Sequence, residues 1–136
     1  MSPVAHLFRQ AVQQQRAGAL AAAGALYEQI LAVEPHNVDA LANAGVLCAR
    51  AGRYDEAVAH YTRALTLAPG EPDVLTNLGN LHRLRGNAAA AIAAYREALA
   101  TSAGHAVAGA GIVDLLFDTG ANEEAVAVGQ AVLAAN

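Results

Sequence analysis

The sequence predicts an all-α protein, an α-solenoid built from four helix-turn-helix repeats of 34 residues. Three observations predict it. Gly18, Gly52, Gly86 and Gly120 share one interval with Ala23, Ala57, Ala91 and Ala125 and with Leu31, Leu65, Leu99 and Leu133, so three registers agree four times over. Within each interval the apolar residues keep helical spacing, as in Leu41, Ala44, Gly45, Leu47 and Cys48 and again in Ala57, Val58, Tyr61, Ala64 and Leu65. The composition agrees, with 55% hydrophobic residues but only 4% aromatic, which suits Ala-rich helices in close approach better than aromatic-filled sheets.

The 136 residues form a single array of repeats over 4–37, 38–71, 72–105 and a shortened 106–136. Ser2-Pro3 opens the first helix, a hydroxyl cap followed by a proline whose missing N–H costs nothing at that position. Gly18 and its three equivalents stop the first helix of each repeat, where the reversing chain needs a left-handed residue. Pro35 and Pro69 close second helices, Asn37 caps the third helix, and Pro72 starts the fifth. Asp55-Glu56 and Glu123-Glu124 fall in first turns, where negative charge opposes the helix dipole favourably by about 0.3–1 kcal/mol each. Their adjacency is structural.

Gly45 and Gly79 sit in mid-helix at a cost of about 1 kcal/mol each relative to Ala, which close packing must offset. Ala57 and Ala91 are the small residues placed to face them, and Tyr61 and Tyr95, equivalent to Tyr27, fill the wedge between neighbouring repeats. In the fourth repeat Gly109 and Gly111 read as a loosened helix. The last helix carries no charge after Glu124, leaving an apolar outer face to be covered by further chain, a second copy or a partner.

This pattern of a small residue in the first helix followed by Gly, Ala, Tyr, Ala-Leu and Pro resembles the tetratricopeptide repeat. The resemblance is strongest in Val38–Glu71, where Leu41, Gly45, Gly52, Ala57, Tyr61, Ala64, Leu65 and Pro69 all match. It weakens in the first repeat at Gln10, Ala11 and Gln14 and in the fourth at Gly109 and Gly129. The resemblance implies a right-handed superhelix whose concave face, lined by the first helix of each repeat, binds an extended segment of another protein. Position by position, it puts Arg9, Arg16, Asn43, Arg50, Asn77, Asn80, Arg83, Asp114 and Asp118 in or near that groove, which runs from basic to acidic.

Asn43 and Asn77 are 34 residues apart, and Asn43-Ala-Gly45 and Asn77-Leu-Gly-Asn80 are similar to the asparagine ladder of O-linked N-acetylglucosamine transferases. An Asn offers both donor and acceptor to a peptide backbone. The same two residues could instead bond neighbouring helices, just as Arg16 and Arg50 could simply answer the dipoles at helix C-termini. The lysine-containing carboxylate clamp of the chaperone-binding members is absent, since Phe8, Val12, Asn43, Asp73 and Asn77 stand at its positions with a single match. The implied function is therefore a non-catalytic module that binds an extended peptide, with Arg9, Arg50 and Arg83 favouring an acidic one. The alternatives are a substrate-recruiting N-terminal arm of a larger, glycosyltransferase-like enzyme, and a scaffold that forms homodimers through its C-terminal helix.

Other classes are excluded by what the residues lack. A formal charge of −4 and no lysine argue against nucleic acid. The longest uncharged run, from Ala98 to Val113, is broken by glycines and hydroxyls and does not suit a membrane span. The N-terminal residues from Met1 lack a basic and apolar leader, so the expected location is cytoplasmic. Gly109-Ala-Gly111 falls short of a dinucleotide fingerprint, the single Cys48 reads as a small buried residue, and His6, His36, His60, His82 and His105 show neither metal spacing nor a nucleophile neighbour. No cofactor, metal or catalytic group is expected.

Overall fold

The computed structural model describes residues 2–136, and Met1, where the region read for a leader begins, lies outside them. The described residues form eight α-helices and no strand. They are α1 (Pro3–Arg16), α2 (Leu20–Val33), α3 (Val38–Arg50), α4 (Tyr54–Leu67), α5 (Pro72–Leu84), α6 (Ala88–Thr101), α7 (Ala106–Asp118) and α8 (Asn122–Ala134). The chain divides into two compact units, Met1–Ala68 and Pro69–Asn136, each made of two helix-turn-helix pairs.

The boundaries fall where local chemistry puts them. Ser2 accepts from the Ala5 amide with Pro3 opening α1, Asn37 accepts from the Ala40 amide, and Pro72 opens α5. Gly18, Gly52, Gly86 and Gly120 take φ of +81°, +77°, +79° and +85°, the left-handed conformation that ends the first helix of each pair. Pro35 and Pro69 lie just beyond α2 and α4, and the two acidic pairs occupy the first turns of α4 and α8.

In the first unit the core joins Ala11 of α1, Ala23, Tyr27 and Ile30 of α2, and Ala40, Ala44 and Leu47 of α3, with Leu7, Phe8 and Leu31 packed on its edge. Phe8 and Tyr27 meet edge to face at 5.8 Å, a favourable aromatic geometry. Cys48 is buried, as its apolar neighbours in sequence imply. The second unit buries Val74, Leu75 and Leu81 of α5, Ala91, Ala94, Tyr95 and Ala98 of α6, and Ala108, Ile112, Leu115 and Leu116 of α7. On α8 only Ala125 is buried, while Val126 and Leu133 are 49% and 76% exposed, so the apolar outer face foreseen for the last helix is present.

The mid-helix glycines are explained differently from the sequence expectation. A Cβ on Gly45 would lie 2.5 Å from Tyr61 Cε1, and one on Gly79 would lie 2.7 Å from Tyr95 Cε1. The nearest surface to each glycine is the tyrosine ring of its own repeat rather than Ala57 or Ala91. Tyr95 also meets the following repeat, since a Cβ on Gly111 would lie 2.6 Å from its Cζ. The stretch containing Gly109 and Gly111 is a regular part of α7, not a loosened one, because Val132 and Tyr95 fill the space that side chains would take.

Candidate functional site

In the first unit, the C-terminal half of α1 and the middle and end of α3 build a polar concavity of about 420 Å³ lined by Val12, Gln15, Arg16, Asn43 and Arg50. Val12, Gln15 and Arg16 come together because residues three and four apart share a helix face. Arg16 and Arg50 each occupy the last turn of their helix, where a cation complements the dipole. The Tyr27 hydroxyl donates to Gln15 Oε1 at 2.9 Å, and the Asn43 amide hydrogen-bonds the same phenol. Burial pushes the Tyr27 phenol up, and the Asn43 bond partly offsets it.

Asn43 therefore ties the second repeat to the first, which is the packing role that its spacing also allowed. Its half-buried side chain still lines the concavity. Arg9 is exposed on α1 and is not among the lining residues.

In the second unit the organising group is Tyr95. Its hydroxyl donates to Asn80 Oδ1, and Arg83 hydrogen-bonds the Tyr95 phenol. Burial pushes this phenol up while the Arg83 charge and bond pull against it. Arg83 in turn meets Asp114 of α7 at 3.7 Å, an exposed pair of small energetic weight. Asn80, Arg83 and Asp114 thus form one polar cluster on α5 and α7. Asn77 is half-buried on α5, and Asp118 is exposed at the end of α7.

Sequence reasoning missed Gln15 and the two tyrosine hydroxyls. The Val12–Gln15–Arg16 spacing could have found the first. The tyrosines were visible as a 34-residue series, but their rings and not their hydroxyls carried that argument. A further link was also missed: His105 caps α7 by accepting from the Ala108 amide through Nδ1, and its Nε2 reaches Asp73 Oδ1 at 2.7 Å.

Among the described residues, no three His, Cys, Asp or Glu side chains are grouped to hold a metal ion, and no helix is long and apolar enough to cross a membrane. Cys48 lies 3.9 Å from Glu56 Oε2, and burial pushes its thiol up, away from the reactive thiolate.

Family models described as tetratricopeptide repeat match residues 8–72 and 72–105. No curated protein matches the chain. Among solved structures it is similar to MamA, with 20% identity, a TM-score of 0.87, and coverage of 98% of this chain and 78% of that one. It is similar to a Thermobaculum terrenum O-GlcNAc transferase, with 29% identity, a TM-score of 0.78, and coverage of 83% of this chain and 22% of the other. A structure of Naa15/Naa10 bound to HypK matches with 23% identity and a TM-score of 0.83, covering 99% of this chain and 20% of that one. The chain thus spans about a fifth of the latter two.

Proposed function

The chain belongs to the tetratricopeptide-repeat family, and from that premise we propose that it is a non-catalytic protein–protein interaction module holding an extended peptide against the first helix of its repeats. One observation carries this reading: in each unit, side-chain amides and an arginine collect on those helices, Gln15, Asn43 and Arg50 in one and Asn80 and Arg83 in the other. Amides can answer a peptide's backbone N–H and C=O without reading its side chains, while the arginines favour acidic residues. For so small and polar an interface, affinity is on the order of micromolar.

The test is selection of linear peptides from a random display library against the purified chain, followed by titration of one selected peptide. Replacing Asn43, Asn77 and Asn80 together by Ala is expected to weaken it at least about tenfold, the worth of one or two hydrogen bonds. Unchanged affinity in a folded triple variant refutes the backbone-binding role.

A second reading, a substrate-recruiting arm of a larger transferase, is favoured by the 29% identity to an O-GlcNAc transferase. Reading the coding sequence beyond Asn136 tests it, since the arm requires an open frame that encodes a catalytic domain. Self-association through the exposed Val126 and Leu133 of α8 is tested by sedimentation at high concentration, where a monomer removes it.

A further inference from the structure

The concavity of the first unit holds two guanidinium groups and no acid. Three arginines elsewhere have an acidic partner: Arg53 meets Glu56, Arg83 meets Asp114, and Arg96 meets Glu124. With twelve acidic residues against eight basic ones, counter-charges are plentiful. Among the described residues, none of them forms an ion pair with Arg16 or Arg50. The helix dipoles account for each arginine singly, but not for two on one polar concavity, where like charges repel. An anion bound between them would remove that repulsion and take charge-assisted hydrogen bonds from both.

Two facts choose among anions. A pair of guanidinium groups is matched by about two negative charges, and a phosphate monoester carries roughly −1.5 to −2 at pH 7 on one tetrahedral group. Neighbouring carboxylates on an extended peptide point to opposite sides, and those two residues apart are separated by about 7 Å, so they deliver the same charge far less compactly. The cavity of about 420 Å³ accommodates a phosphorylated side chain and its water.

We propose that Arg16 and Arg50, with the Gln15 and Asn43 amides, form a binding site for a phosphorylated Ser or Thr carried on an extended peptide. The proposal rests on the peptide-binding reading and adds the chemistry of one residue of the ligand. Gln15 Oε1 is engaged by Tyr27, which leaves its NH2 to donate to a phosphate oxygen. Asn43 spends a donor on Tyr27 and keeps its carbonyl oxygen for a peptide N–H. Arg83 has Asp114 and is no part of this site.

The test uses three fluorescent decapeptides of one Gly/Ser-rich sequence, bearing a central Ser, phosphoserine or Asp, titrated by anisotropy against the whole chain, R16Q, R50Q and R96Q, the last on the second helix of its repeat. Inorganic phosphate is titrated separately while the arginine Nε–H resonances are followed by NMR. The phosphopeptide is expected to bind at least tenfold tighter than the other two. R16Q and R50Q are each expected to lose roughly 10- to 100-fold of that binding, the worth of a charge-assisted hydrogen bond, and R96Q to leave it unchanged. Inorganic phosphate is expected to shift the Arg16 and Arg50 signals selectively. An Asp peptide binding as tightly as the phosphopeptide overturns the phosphate assignment, and a phosphopeptide indifferent to R16Q and R50Q overturns the site. Failure of the peptide-binding reading alone is distinguishable: phosphate would still move the two arginine signals while no peptide bound.

Discussion

Gly45 and Gly24 both lie inside helices of the first unit, and the same substitution to Ala should act on them in opposite directions. Around Gly24 nothing lies within 4 Å of the added Cβ. Gly24→Ala therefore collects only the helix-propensity gain, about 0.5–1 kcal/mol. At Gly45 the Cβ would lie 2.5, 2.8 and 3.0 Å from three atoms of the Tyr61 ring. Restoring an ordinary 3.4 Å contact to the nearest atom needs a displacement of 3.4 − 2.5, or 0.9 Å. The ring cannot swing into solvent to supply it, since Tyr61 is only 2% exposed. Overpacking of this severity costs about 3 kcal/mol, against which the propensity gain returns about 1, for a net loss of about 2 kcal/mol. Urea unfolding followed by circular dichroism should show the midpoint falling by about 1 M in Gly45→Ala and rising slightly in Gly24→Ala. Adding Tyr61→Leu to Gly45→Ala should cost less than the sum of the single changes, a coupling of about 1 kcal/mol or more. If Gly45→Ala stabilises the chain as Gly24→Ala does, the steric account of the mid-helix glycines is wrong.

Gly111→Asn, which writes the asparagine of the second and third repeats into the fourth, should destabilise by about 2–3 kcal/mol in chemical denaturation, because its Cβ meets Tyr95 Cζ at 2.6 Å and the hydroxyl oxygen at 2.9 Å. Burial pushes the Tyr61 phenol up to about 12, above its unfolded value of 10.0. The stability from keeping it neutral is therefore complete below pH 10 and is lost as pH rises towards 12, by roughly 3 kcal/mol in all. Denaturant midpoints measured across that window should fall less in Tyr61→Phe than in the unaltered chain. His105→Ala removes both the α7 cap and the Asp73 bond and should cost about 1–2 kcal/mol, whereas His105→Asn should recover the capping share when unfolding is compared at one pH.

The candidate site was legible in part. Arg16, Asn43 and Arg50 share the concavity of the first unit, and Asn80, Arg83 and Asp114 meet around Tyr95 in the second. A position within a 34-residue repeat says which helix and roughly which face a residue occupies, and this is enough to bring such groups together. It does not say which neighbour takes each donor. Asn43 gives a hydrogen bond to Tyr27, and Arg83 is matched by Asp114, because those partners lie on other helices at distances set by packing.

The same division runs through the whole chain. Helix starts at Ser2, Asn37 and Pro72, and reversals at Gly18, Gly52, Gly86 and Gly120, were readable in advance because caps and left-handed turns depend on a few consecutive residues. The repeat itself was readable because each pair of helices needs the same small and large residues at the same places. Only the tertiary structure decided that Gly45, Gly79 and Gly111 make room for tyrosine rings, and that Arg16 and Arg50 face one concavity without an acid between them. These outcomes turn on tenths of an ångström between helices, and on where each side chain ends, which a one-dimensional pattern does not encode.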